Sequence, residues 1–413
     1  MKKIAIYLIT FIFIASFVQS CKKDSSNPVD SNPDVPVVLN SEQKRLVNSI
    51  NDFSFDIFEE IDERAKIDEN IFFSPYSINS VLYMLLNGAK GETKAQLVDA
   101  LEIEDNQLNN LNDYHKLFLD ILTNYQKSEN IFIANSFWMR NNFPVENTYQ
   151  EILKKYYNSE VFSRDFSNPN LVTEVNDWIS NHTGKMINNM IDELESNAVA
   201  ILVNAIYFKD KWKLEFEKSK TAKSNFYNLD NSISEVDMMY LKDSTLKSYV
   251  NNDIRVLELP YDKSNTKMLI IAPNNKNTIT DISDKMDDDL IRIINSNLKP
   301  NKTELYMPKF KLKTKLDLNN ILKDMGIKLA FTDKADFSNL SSKERVFISR
   351  VLHDAAIEVD ESGTKAAAAT VAIMRNTSAM NDEFILFLNK PFIFLIQDNN
   401  TNTILFIGKV NKL

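Results

Sequence analysis

Strand-forming runs crowd the second half of this 413-residue chain and helix-period runs the first, and that segregation constrains the fold before any single residue does. The strand-like runs are IFIANSFWMR (131–140), AILVNAIYFKDKW (200–212), RVLELPY (255–261), KMLIIAP (267–273), TELYMPKFKL (303–312), VFISRVLHDAAIEVD (346–360), FILFLNKPFIFLIQD (384–398) and TILFIGKV (403–410). Each is rich in β-branched and aromatic residues that suit a pleated, half-buried surface. Earlier in the chain, Leu46, Ile50, Phe53, Ile57 and Ile61 recur at helical spacing from a start at Ser41. Ser74 before Pro75 opens a second helix, because proline lacks only the N–H that a first turn cannot use. That helix is apolar on most sides from Ile78 to Leu86 and is broken by Gly88 and Gly91; a short helix follows from Thr93. Further helical patterns lie near 107–125, 147–157 and 169–190. Helices followed by strands predict an α+β fold rather than alternating βαβ units. The last two strands, divided by the polar DNNTNT, predict a hairpin.

The first 20 residues place Lys2 and Lys3 before an apolar run from Ile4 to Val18, too short to span a bilayer and of the form of a secretory signal. Cys21, the only cysteine, follows directly, and FVQSC resembles a bacterial lipoprotein box in which that cysteine is lipidated. Residues 21–40 contain three prolines among Ser, Asn and Asp, with no apolar period. They read as a flexible tether on a lipid anchor, placing a single domain of residues 41–413 at a bacterial membrane, on its periplasmic or outer face. A single thiol cannot close an internal disulfide, so an exported fold must stand on its core. The net charge of −9, with no basic cluster beyond the first few residues, argues against a nucleic-acid partner.

Catalytic signatures are missing from the sequence. The six glycines fit no phosphate-binding or nucleophile-elbow pattern, and His115, His182 and His353 form no HExxH. No metal or cofactor is expected. Two polar residues stand out instead. Alternation puts His353 on one strand face with Val351, Ala355, Ile357 and Val359, and Asn204 on one face with Leu202, Ile206 and Phe208. Buried there without partners, each would cost about 1–3 kcal/mol.

The segment DESGTKAAAATVAIMRNTSAMND (360–382) is unlike the rest. Four alanines are too few for an autonomous helix. As a strand, Thr364, Ala366, Ala368, Thr370 and Ala372 share a face of small uncharged residues, which could enter a packed sheet without overfilling the core below.

This hinge, VDESGTKAAAAT, resembles that of the serpin family. So do NIFFSPYSINSVLYMLLNGAKGET, NDWISNHTGKMINNMI, LVNAIYFKDKW, VDMMYL, LELPYD, MPKFKL, GIKLAF, ISRVLHDAAIEVDESGT, NKPFIFLI and LFIGKV, an ordered set spread over residues 41–413. The resemblance implies three β-sheets, about nine helices and an exposed reactive-centre loop at about 361–383. It implies a monomeric inhibitor of serine proteases, extending to papain-like cysteine proteases, that traps its target covalently when the cut loop enters the main sheet. It maps Glu361, Gly363, Thr364, Ala366, Ala367, Ala368, Ala369 and Thr370 onto the hinge. Ser74, Ser77, Asn204 and His353 map onto the shutter, a polar cluster beneath the opening sheet, and Trp212 onto the breach at its top. Family spacing from Gly363 places the reactive bond at Thr377–Ser378, suiting elastase-like or subtilisin-like targets. Arg375–Asn376 is the alternative, since Arg375 suits a trypsin-like pocket, and Met374 or Met380 suits a chymotrypsin-like one. The rival reading is a non-inhibitory serpin acting as a binding protein or chaperone. Such members tend to carry bulky, charged or proline residues in the hinge, and the hinge positions Thr364, Ala366, Ala367, Ala368, Ala369 and Thr370 hold none.

Overall fold

Capping chemistry sets where the helices start. In the computed structural model, which describes residues 38–126, 131–194, 198–363 and 383–413, Asn40 and Gln43 exchange hydrogen bonds as a capping box that opens α1 (Ser41–Arg64). Leu39, just before the cap, is buried. After β1 (Ile71–Phe73), the Ser74 hydroxyl caps α2 (Pro75–Gly88) by accepting from the Ser77 N–H at 3.1 Å. Every residue of α2 is buried, as its all-round apolar pattern requires. The chain continues through α3 (Gly91–Ala100), α4 (Leu108–Gln126), β2 (Ile131–Arg140), α5 (Asn147–Tyr157), β3 (Glu160–Arg164), α6 (Leu171–His182) and β4 (Ala200–Phe208). Then come β5 (Ala222–Tyr227), β6 (Ile233–Val250), β7 (Ile254–Pro260), β8 (Thr266–Pro273), α7 (Ile279–Ser283), α8 (Asp288–Asn297), β9 (Lys299–Pro308) and β10 (Phe310–Asp317). The last elements are α9 (Asn319–Asp324), β11 (Leu352–Val359), β12 (Phe384–Phe387), β13 (Phe392–Asp398) and β14 (Ile404–Val410).

The strands form three hydrogen-bonded groups. The largest has the order β1-β14-β13-β8-β7-β6-β9-β12, with β5 added on β6. The second is β3-β2-β4 and the third β10-β11. β4 and β11 lie side by side, so the two smaller groups make one layer with a seam between them. Helix α2 runs beneath this layer, against β4 on one side and β14 on the other. Nine α-helices and fourteen strands among the described residues make the fold α+β, with the expected hairpin of β13 and β14 paired antiparallel.

Several boundaries depart from the sequence reading. The run VFISR is irregular rather than extended ladder: the Ile348 N–H bonds Ala330 O and the Val351 N–H bonds Asn319 Oδ1, so loop and side-chain acceptors replace a neighbouring strand. Helix α6 stops at His182 instead of reaching 190, because Gly184 (φ 58°) and Lys185 (φ 64°) turn left-handed. The single run 384–398 divides at Pro391 into β12, parallel to β9, and β13, antiparallel to β8. Strands β1, β3, β5 and β6 gave no readable signal, β1 being three residues long and β6 carrying a charged face.

Candidate functional site

The seam between β4 and β11 gathers the polar residues that alternation had singled out. The Ser74 N–H, at the start of α2, donates to His353 Nε2 of β11 at 3.0 Å. Ser77, one turn into α2, donates its hydroxyl to Asn204 Oδ1 of β4. The Asn204 amide then donates to Asn135 Oδ1 of β2 at 2.6 Å, and the Asn135 amide to the Tyr157 carbonyl at 2.7 Å. One buried chain of hydrogen bonds thus ties α2 to both banks of the seam. Asn135 lies directly opposite Asn204 in the ladder and was missed, although the alternation that exposed Asn204 applies equally to IFIANSFW.

His353 accepts through Nε2, which requires its neutral form, and burial pushes its pKa down to about 3. On the opposite face of β11, Asp354 is buried and its carboxyl is pushed up to about 6, chiefly by desolvation.

At the top of the seam the backbone turns back on itself. Gly363 forms an antiparallel bridge with Asp360, just beyond β11, and another with Lys211, just beyond β4. It therefore lies between the continuations of the two strands. Its φ of +144° suits glycine, and a Cβ there would stand 2.1 Å from Asp210 O and 2.5 Å from Lys211 Cα. The buried Trp212 fastens the same corner: its indole N–H donates to Asp360 O at 2.9 Å, its backbone N–H to Ser362 O at 3.1 Å, and its ring stacks on Tyr261 at 4.6 Å. Glu361, fully buried, accepts from the Thr221 hydroxyl at 2.7 Å and pairs with Lys309 at 3.0 Å. Burial raises its pKa, but the Thr221 and Lys309 contacts outweigh that and hold the carboxyl below its usual range. Thr221 and Lys309 carried no pattern of their own in the sequence.

Lower down, the seam widens into a cavity of about 480 Å³ floored by Val81, Leu85 and Phe137, between residues 198–203 and 345–352. The remaining hinge residues Thr364, Ala366, Ala367, Ala368, Ala369 and Thr370, both candidate bonds (Thr377–Ser378 and Arg375–Asn376), and Cys21 lie outside the described residues. Among the described residues no cluster of His, Cys, Asp and Glu could hold a metal ion, and no helix is long and apolar enough to cross a membrane.

A single α+β body in which the two smaller strand groups meet at a seam over a buried polar cluster defines the class of fold. The comparisons give the class its family. The family profile Serpin (serine protease inhibitor) matches residues 48–413. Human Serpin B3 is 32% identical over 383 residues, covering 87% of this chain and 97% of the relative. The native-state crystal structure of the thermophilic serpin tengpin superposes with a TM-score of 0.79 at 28% identity, covering 92% of this chain and 97% of that one. Human thyroxine-binding globulin complexed with thyroxine gives 0.80 at 27% identity, covering 90% of this chain and 100% of its own. The chain belongs to the serpin family, whose members are generally protease inhibitors rather than enzymes.

Proposed function

We propose that this protein is a suicide inhibitor of serine proteases. A target attacks the loop, with Thr377–Ser378 as the first choice of bond and Arg375–Asn376 as the second, and its catalytic serine becomes esterified to the new C-terminus. The freed segment from Thr364 then enters the seam between β4 and β11 and carries the protease with it, distorting the geometry that deacylation needs. Papain-like cysteine proteases, which also form acyl-enzymes, fall within the same reading.

The observation that carries this reading is the double bridge of Gly363. The chain has already made a tight turn at Glu361 and Ser362 and points back along β11 with β4 on its other side. Continued downward, the Asp360–Gly363 register sets Lys365 opposite Glu358 and Thr370 opposite His353. The face of small residues would then lie over the shutter. The widened cavity supplies room for the lower part of the entering strand. The locks at Trp212, Glu361 and His353 hold the seam until the cut.

The test is incubation with elastase, trypsin and subtilisin. The expected product is a complex that survives boiling in detergent, with mass spectrometry of the released C-terminal peptide naming the bond. The likeness to thyroxine-binding globulin, as good as that to tengpin, favours a second reading as a non-inhibitory binding protein. Clean cleavage without a complex and without a gain in heat stability would select it.

A further inference from the structure

Asp354 of β11 has no part in the proposed trapping, yet it is 3% exposed, and among the described residues neither of its carboxylate oxygens has a hydrogen-bond partner. A carboxylate buried that way costs free energy. It lies in register with Lys315 of β10, so the two side chains stand on the same face of that strand pair. Lys315 is turned elsewhere. Its ammonium donates to Asp192 at 2.7 Å and to Asn189 O at 3.3 Å.

Both acceptors belong to residues 183–194, the stretch that follows α6, and this stretch crosses the seam. On the β4 side it is tied to α6: the Asn176 amide donates to Ile191 O at 2.7 Å, and the Ile191 N–H to Asn176 Oδ1 at 3.0 Å. Its Ile187, Met190 and Ile191 are buried with Trp138 of β2, and Leu352 of β11 packs against the same cluster. On the β11 side Lys315 pins it. The register that sets Thr370 opposite His353 sets Ala369 opposite Asp354, so the entering strand passes under this strap.

We propose that residues 183–194 are a latch released by an exchange of partners, in which Lys315 leaves Asp192 and Asn189 O for Asp354 as the strap lifts. Asp192 is 64% exposed, where water screens the pair, so giving it up costs little. Asp354 is desolvated, so an ammonium gained there is worth more. The other charged groups facing Asp354 are Lys313 of β10, which is exposed, and Asp192 of the strap; β4 brings none. Arg350 is paired with Asp317 at 2.9 Å and Glu358 with Lys311 at 2.7 Å. Desolvation raises the Asp354 carboxyl to about 6, so in acid it takes up a proton and ceases to attract Lys315. Asp192, held below the usual carboxylate range by its bond from Lys315, keeps its charge there. The strap is then latched more firmly. This inference rests on the reading of the seam as the entry path of the cut loop.

Hydrogen exchange at the Ile191 amide of the uncut protein reads the strap without any protease. Asp354→Asn should slow that exchange about fivefold at about pH 7.5, leave it nearly unchanged at about pH 5, and have no effect in a Lys315→Met background. Slowing of equal size with and without Lys315 would mean simple relief of a buried charge and overturns the proposal. Equal exchange of wild type and Asp354→Asn at both pH values overturns it too. With elastase, trypsin and subtilisin the same variant should shift the product from detergent-stable complex toward cleaved, uncomplexed protein. Asp354-dependent strap exchange with no stable complex from the wild type would sink the trapping reading and leave the latch standing. A stable complex with Asp354-independent strap exchange would do the reverse.

Discussion

His353 is held neutral by the fold, and that has a pH signature. Its folded pKa of about 3 lies below the unfolded value near 6.5, so between those limits the unfolded chain binds the extra proton. The stability that His353 confers is therefore complete above about pH 6.5 and lost as pH falls toward 3. At pH 4.5 the loss is about 3 kcal/mol. Asp354, raised to about 6, works in the opposite direction, and the buried His115, lowered to about 4, in the same one. The difference between wild type and His353→Gln in urea midpoints across pH 7 to 4 isolates the term: the variant should be less stable at pH 7 and flatter toward acid. Gly363 gives a second residue-scale outcome. Gly363→Ala must displace Asp210 O or abandon its bridges, so detergent-stable complex should fall and cleaved, uncomplexed protein rise, measured as moles of inhibitor consumed per protease.

At the scale of elements, the seam is closed at its top by a small number of contacts around Glu361. Glu361→Gln leaves Lys309 without its charge partner. Because Lys309 retains some exposure, the cost should be on the order of 2 kcal/mol, below that of a fully buried broken pair. Thermal unfolding should fall accordingly, and hydrogen exchange should quicken first at Phe216 and Trp212, whose N–H groups bond Glu361 O and Ser362 O. The elements also show how far the sequence could be read. Helices α2 and α5 and the β13–β14 hairpin were legible because caps, glycines and polar turns are local signals. Asn204 and His353 were legible because a polar residue on an apolar strand face is conspicuous. That they meet the same helix came only through the family resemblance, since the joining of β4, β11 and α2 is a long-range event that no local pattern encodes. The irregular 345–351 stretch misled for a related reason: its β-branched composition suits a strand, but its N–H groups found Ala330 and Asn319 instead.

For the whole molecule, the proposed trapping makes the native state one secured by kinetics. About ten residues gaining strand hydrogen bonds at roughly 0.5–1.5 kcal/mol each would release on the order of 10 kcal/mol. For a domain of this size that raises the melting midpoint of the cut form by about 10–15 °C. Calorimetry before and after limited proteolysis checks it, and an unchanged midpoint would mean that no strand was added. The proposed anchor is tested separately. Lipid labelling of the expressed chain in a bacterial host should be lost in Cys21→Ala, with the protein moving from the membrane fraction to the soluble one.

The most direct test is a crystal structure of the protein after its loop has been cut. The residues following Gly363 should run as a new strand with β4 on one side and β11 on the other, Thr370 level with His353. If β4 and β11 instead pair directly with each other while the severed segment stays outside the layer, the central claim is wrong.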